Sequence, residues 1–325
     1  MNFSAEVLAK LERLQAKYEA MGQDLGSYLE GLLESEYLPY WDYVQLDVLL
    51  NLQKPKTAYP DEQIFILYHQ ITELYFKLCL LELEQLVPDI SGEQPSLADL
   101  EMRLGRINRY FDALTLSFHI MTEGMEPAQF LKFRMALLPA SGFQSAQYRK
   151  IELHCTELEQ LVHKESRHPD NTIRTTEELY AQIYWKQGAI EAKSGHKTLT
   201  LTQFEAKYDA QLLALAQSLK GRTLASLWSQ LKAQNPDSNY RNLSAAFRRL
   251  DHRVNVDWPL AHYRTAVRYL HRPQEDIAAT GGTNWQQYLP PRLQLRVFFP
   301  WLWTQDELEQ WGKKDLLHEQ LSANQ

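Results

Sequence analysis

Asp61-Glu-Gln-Ile-Phe65-Ile-Leu-Tyr-His69-Gln-Ile-Thr-Glu-Leu-Tyr-Phe-Lys77-Leu-Cys-Leu-Leu-Glu-Leu-Glu-Gln-Leu86 is the stretch that decides the fold class. Leu67, Ile71, Leu74, Leu78 and Leu81 recur at spacings of four and three, which lines them along one stripe of an α-helix. Glu73 and Lys77 stand four apart, the order in which opposite charges support a helix. Pro55 and Pro60 bracket Lys-Thr-Ala-Tyr, a short link into this helix.

The same period runs outward in both directions. Val7, Leu8, Leu11, Leu14 and Tyr18 predict a first amphipathic helix. Further helical patterns cover 97–123, 127–138, 142–164, 173–193, 202–218, 222–234, 239–251 and 256–271. No series of alternating strands and no phosphate-binding glycine loop interrupts them, so the fold class is all-α, a helical bundle. Pro139-Ala-Ser-Gly142 ends one helix and starts another, with Ser141 placed to cap it. Residues 166–235 are rich in Gln, Lys, Glu and Thr and read as a helical insertion or subdomain beside a body formed by 1–165 and 236–325. The aromatic end, Phe298 to Trp311, is expected to pack against the body or another subunit.

Composition excludes whole classes of function. At 325 residues and 44% apolar, the chain can build a sizeable core. A net charge of −7 offers no cationic face for neutralising phosphates, so no nucleic-acid partner is expected. Mean hydropathy is −0.45 and no run of about 20 apolar residues presents itself, so no membrane partner is expected either. Met1-Asn-Phe-Ser-Ala-Glu-Val lacks a basic-then-apolar leader, which predicts a cytoplasmic protein. Cys79 and Cys155 form no Cys-x-x-Cys pair; Cys79, in an apolar run, reads as a small buried hydrophobe.

Three segments carry polar residues of the kind a buried site needs. His262 sits in the helical, aromatic-rich stretch Trp258-Pro-Leu-Ala-His262, with Thr280-Gly281-Gly282-Thr283 downstream. A histidine so placed can serve as an axial metal ligand beside a substrate-binding turn. Phe65 and His69 are one helical turn apart and share a face. Arg134 precedes the Pro139-Ala-Ser141-Gly-Phe-Gln-Ser145 turn, and a planar guanidinium can hold a carboxylate through two parallel hydrogen bonds.

Taken together, four segments resemble the tryptophan 2,3-dioxygenase family. They are Tyr40-Trp-Asp-Tyr43 through Gln53, Asp61 through Lys77, Phe133-Arg134 through Ser145 to Tyr148-Arg149, and Trp258-x-x-x-His262 with Thr280-Gly-Gly. The segments follow the family's order and span about 38 to 290. The resemblance implies an all-helical enzyme that holds non-covalent haem b and uses O2 to open the indole 2,3-bond of L-tryptophan, giving N-formylkynurenine. It also implies a homotetramer, a dimer of dimers.

By the same resemblance, His262 is the haem iron's axial ligand and His69 the catalytic histidine that contacts the indole N–H, with Phe65 packed on the ring. Arg134 is the carboxylate clamp. Thr280 holds the substrate ammonium, Gly281 and Gly282 let the backbone come close to the ligand, Ser141 bonds near haem or substrate, and Tyr40 and Tyr43 reach in from a neighbouring subunit. Ala266 stands where some relatives carry a cysteine linked to haem, so no covalent link is expected. His252 and His271 lie outside the Trp-x-x-x-His register and read as surface residues. The chain departs from the family at Thr283-Asn284-Trp285, where Ser-Ser-Gly is usual. That departure keeps a relative acting on a modified indole or tyrosine in play; a haem carrier without catalysis would leave Arg134, Thr280 and the two tyrosines unused.

Overall fold

The computed structural model describes residues 3–87, 95–167, 174–190, 195–271, 277 and 285–313. Every long element among them is a helix; two isolated antiparallel bridges, Val162 with Ile183 and Ile190 with Lys197, are the only extended pairings there. The chain divides into two compact units, Met1–Lys54 and Pro55–Gln325.

In the N-terminal unit, α1 spans Ala5–Ala20 and α2 spans Leu25–Leu33. Each starts at a side chain that satisfies an orphan N–H of the first turn, Ser4 for Val7 and Asp24 for Ser27. The sequence pattern predicts α1; it does not predict α2, nor the single turns Tyr40–Tyr43 and Leu46–Leu49. No residue of α1 is buried, and Leu32, Leu33, Tyr37, Trp41 and Leu50 are all exposed. A surface this apolar is unusual for an isolated unit.

The second unit is built on α3, Pro60–Leu86. Pro60 sits in the first turn, where its missing N–H costs nothing. The Glu62 carboxylate accepts from the Lys56 and Thr57 N–H groups at 2.7 Å each and closes the link before the helix. The face that turns inward is Tyr68, Thr72, Phe76, Cys79, Leu80, Leu83 and Leu86. The Leu67-Ile71-Leu74-Leu78-Leu81 stripe lies on the other side, between 36% and 49% exposed. With both faces apolar, α3 is long and apolar enough to cross a bilayer by composition alone. Its inner face nonetheless packs on protein, and Glu82 there is held by Arg103 at 2.8 Å and Arg106 at 3.2 Å.

Those arginines belong to α4, Leu97–Ser117, whose Ser96–Asp99 capping box fixes its start. Its Leu100, Leu104, Ile107, Phe111 and Leu114 alternate by four and three and meet α3. α5 covers Pro127–Phe133 and tightens into a 3-10 turn, Arg134–Leu137, before the cis Leu138–Pro139 bond. The pattern over 142–164 predicts one helix, but the chain forms a 3-10 turn Gly142–Gln144, then α6 over Ala146–Cys155, then a turn Leu158–Leu161. Ser145 caps α6, and Thr156 leaves helical geometry to donate its hydroxyl to the Phe298 carbonyl at 2.7 Å. Likewise 173–193 holds two short helices, Thr176–Ala181 and Tyr184–Gln187, parted by an extended Ile183.

α7, Leu199–Leu219, and α8, Leu224–Gln234, place Phe204, Leu212, Leu224 and Trp228 in the same core as α3 and α4. α9, Arg241–His252, runs without a break through a π-turn, Arg253–Asp257, into α10, Trp258–Leu270. Pro259 explains the π-turn: it cannot donate to the carbonyl four residues back, and its ring would strike that carbonyl in a regular helix. The extra residue turns the face of everything after it by about 100°. Just before the π-turn, fully buried Asp251 accepts from the Phe298 N–H at 2.8 Å, the Phe299 N–H at 3.1 Å and the Trp303 indole at 2.9 Å. The aromatic end therefore packs on the body. Burying two phenylalanine rings there is worth roughly 1.5–3 kcal/mol each.

Candidate active site

The candidate site is described from two histidines, one on α3 and one on α10. The α3 histidine, His69, has its Nδ1 at 2.7 Å from the carbonyl oxygen of Phe65. A carbonyl only accepts, so Nδ1 carries the proton and Nε2 is left with a free lone pair. Burial pushes the His69 pKa below its ordinary value, so the ring is neutral near pH 7. The Phe65 ring lies 4.1 Å from the His69 ring, tilted by 32°. Phe133 at 6.0 Å and Phe130 at 6.4 Å complete an aromatic wall around Phe65. The helix starts are tied so that these rings meet: the Glu126 N–H donates to Asp61 at 2.6 Å.

On α10, His262 is exposed to water along one side. The protein that encloses it otherwise desolvates the ring and, with the charge of His69 second, lowers its pKa to about 4. The His262 ring lies 5.9 Å from Phe118 at an angle of 31°. Phe118 also packs on Trp258 at 4.9 Å and on Tyr68, the neighbour of His69, at 5.6 Å. Among the described residues neither ring nitrogen of His262 makes a hydrogen bond, so a lone pair stays available. Tyr269 donates to the Met121 and Met125 carbonyls at 2.8 and 3.1 Å, and the Thr122 and Thr265 hydroxyls meet at 2.7 Å. These bonds clamp α10 to the turn that carries Phe118.

The Ser141–Gln144 turn closes on the same histidine. A Cβ added at Gly142 would lie 3.9 Å from His262 Cε1, and Gly142 itself is exposed. Ser141 is used as foreseen for a cap: its Oγ accepts from the Phe143 N–H at 3.3 Å, and its own N–H donates to Gln144 Oε1 at 3.3 Å.

The remaining sequence candidates fall in different places. Arg134 follows Phe133 directly, is half-buried, and loses basicity to desolvation while staying charged; its Nη1 donates to Met135 Sδ at 3.5 Å. Tyr40 and Tyr43 lie in the N-terminal unit, 71% and 79% exposed. Thr280 and Gly281, with Gly282, Thr283 and Asn284, lie outside the described residues. His252 pairs with Asp257 at 3.1 Å next to Arg253, and His271 is exposed.

Sequence reasoning did not find Phe118, the ring that joins the two histidine neighbourhoods; nothing in its local string sets it apart. Nor did it anticipate the seat of Trp285. That indole is 4% exposed, donates to the Ile277 carbonyl at 3.2 Å and lies 5.8 Å from the Tyr263 ring, beside the site histidine. Tyr288, one turn on, donates to the Gln187 carbonyl at 3.3 Å, in a gap that Gly188 leaves by having no side chain.

Comparison with known proteins bears on the same residues. The family model for tryptophan 2,3-dioxygenase matches residues 30–256, which takes in α3, the 134–145 segment and the start of the π-turn. A tryptophan 2,3-dioxygenase of Ruegeria sp. is 29% identical over 290 residues, 83% of this chain and 92% of that protein. One of Burkholderia multivorans is 26% identical over 304 residues, 91% of this chain and 93% of the relative. One of Polaromonas sp. reaches 37% identity over 118 residues, 36% of this chain and 39% of its own length.

Proposed function

The chain belongs to the tryptophan 2,3-dioxygenase family of oxidoreductases, and on that footing we propose that it adds both atoms of O2 across the indole 2,3-bond of L-tryptophan to release N-formylkynurenine. Substrate and O2 together supply every atom and electron of the product, so no reductant is consumed per turnover. The observation that carries this reading is the pairing of a neutral, unengaged His262 imidazole with a neutral His69 whose Nε2 can only accept.

The residues fit haem b. An imidazole that stays neutral down to a pH of about 4, with no hydrogen bond among the described residues, is the donor that iron takes. Gly142 beside it presents no side chain to obstruct a flat macrocycle. Held by His262, haem would supply the redox-active iron that lets O2 react with a closed-shell indole. The chain's own part is binding, orientation and exclusion of water. His69 Nε2 accepts the indole N–H and fixes the ring's rotation; Phe65, Phe130 and Phe133 keep water from its face. Arg134 pairs with the substrate carboxylate, and Ser141, Thr280 and Gly281 serve the ammonium end.

Tyr40 and Tyr43 complete the site from a neighbouring copy in a homotetramer, a reading supported by how much apolar surface the N-terminal unit leaves uncovered. Cys79 and Cys155, both free and buried, suit the cytoplasm. Segment 166–235 acts as a subdomain that contributes no catalytic side chain.

Trp285 favours one second reading. An indole beside Tyr263, where the family's loop is normally small, suits an altered substrate such as a modified indole or tyrosine. Reconstituting with haem, reducing, and adding L-tryptophan and air tests both. N-formylkynurenine absorbance is the expected product signal; haem-loaded protein that converts only a substituted indole or tyrosine would move the assignment to that relative.

A further inference from the structure

The imidazole of His262 lacks the support that usually aims a metal-binding histidine. Such a ring customarily donates its second nitrogen to a carboxylate, a carbonyl or water, and that bond fixes the ring's rotation. Among the described residues neither nitrogen of His262 has a partner of this kind. What the ring has instead is Phe118. The two ring centres lie 5.9 Å apart with their planes 31° from parallel, an offset stack. No other aromatic ring among the described residues lies against His262. The lone pair of an imidazole lies in the plane of its ring, so a neighbour on the face leaves the donor direction open. The same neighbour crowds an imidazole turned across that plane.

Phe118 is in turn held by two rings and by its backbone, and is only 7% exposed. Trp258, one turn before His262 on α10, meets it at 4.9 Å and 61°. Tyr68 meets it at 5.6 Å and 62°. Thr122 Oγ1 lies 3.2 Å from the Phe118 carbonyl oxygen and 2.7 Å from Thr265 Oγ1, which lies 3.2 Å from the Ala261 carbonyl oxygen. A pair of hydroxyls therefore lies between the backbone of Phe118 and that of the residue before His262. Leucine would also fill the core at this place, but only a flat side chain sets a plane.

We infer that Phe118 is the positioning residue of His262: stacked on the imidazole, its ring holds that plane where a hydrogen bond ordinarily does. The inference rests on the proposed role of His262 only for its consequence, a correctly aimed ligand; the stacked pair is a property of the chain alone. Outer groups that orient a metal-binding histidine matter roughly 10- to 100-fold in affinity or activity.

The test compares Phe118→Leu with Phe118→Tyr, in haem-free and haem-loaded protein. Phe118 lines a cavity of about 450 Å3 beside Leu116 and Thr122, so the added hydroxyl has room. Phe247→Leu, which removes another buried ring from its contacts with Trp228 and Phe299, controls for lost stability. Phe118→Met, which fills more of the volume, takes the place of Phe118→Leu should that variant not fold. In crystals of haem-free protein the His262 imidazole should keep one orientation in Phe118→Tyr and Phe247→Leu, and spread over several in Phe118→Leu. In loaded ferrous protein the iron–imidazole stretching band should shift or broaden in Phe118→Leu alone, and that variant should release haem roughly tenfold faster. A native imidazole orientation in haem-free Phe118→Leu would overturn the inference, as would a Phe118→Tyr protein that behaves like Phe118→Leu. A spread of orientations in Phe118→Leu, with a native protein that takes up no haem, would sink the proposed function and leave the stacked pair standing.

Discussion

The Nδ1 atom of His69 lies 2.7 Å from the Phe65 carbonyl oxygen, and that contact decides which way the imidazole faces and what it can do. The donor is spent on the backbone, so only an acceptor points away. An indole N–H is the matching group. Replacing His69 with Ala should lower kcat/KM for L-tryptophan about 2- to 12-fold, the span of one net hydrogen bond of 0.5–1.5 kcal/mol. With 1-methyltryptophan, which has no N–H, the same substitution should change little. Equal losses on both substrates would show that His69 acts in some other way.

Arg134 leads to a different kinetic signature. Arg134→Ala should raise KM for L-tryptophan sharply, at a cost of roughly 2–5 kcal/mol for truncating one side of a buried charge pair. Arg134→Lys should recover only part, because a point charge cannot hold both carboxylate oxygens in one plane. Steady-state assays decide it; an unchanged KM in Arg134→Ala removes the carboxylate from Arg134.

The pH behaviour of haem-free protein follows from His262. Its pKa falls from an ordinary value of 6.5 to about 4, chiefly through desolvation. The unfolded chain thus binds a proton below pH 6.5 that the folded chain refuses until about 4. The resulting stability is fully present above 6.5 and is lost as pH falls through that window. An NMR titration of the His262 Cε1–H should show a midpoint near 4; a midpoint near 6.5 would mean the ring is freely solvated.

Tyr40 and Tyr43 allow a test of shared sites. A His262→Ala chain and a Tyr40→Ala/Tyr43→Ala chain should each be nearly inactive alone. Refolded together, mixed assemblies hold one site in which intact His262 meets intact tyrosines from the other copy. With equimolar chains pairing at random, activity should return toward about a quarter of the native level, because half of the pairs are mixed and each of those holds one working site in two. No recovery, with mixed assemblies present by native mass spectrometry, would confine each site to a single chain.

What could be read from the sequence depended on how local the cause was. The α3 helix and the joint exposure of Phe65 and His69 on one face follow from a period of about 3.6, so they were legible. That period also marked Leu67 to Leu81 as a stripe, yet could not say which face turns inward, because α3 is apolar on both sides. The helix expected over 142–164 breaks at Ser145, whose hydroxyl caps α6 locally, and at Thr156, whose hydroxyl the distant Phe298 carbonyl claims. The turn at Pro139–Ser145 was legible; what holds it was not. Arg149 meets Tyr184, and Arg296 meets Glu152 and Tyr184, across long stretches of chain, and no spacing announces such meetings.

The absorption spectrum of reconstituted His262→Gly protein, with and without free imidazole, tests the central claim most directly. Native protein should take up one haem per chain with a strong Soret band. The variant should lose that band and regain it when imidazole fills the space left by the side chain. A His262→Gly protein that shows a native Soret band without imidazole would place the iron on another residue and contradict the account.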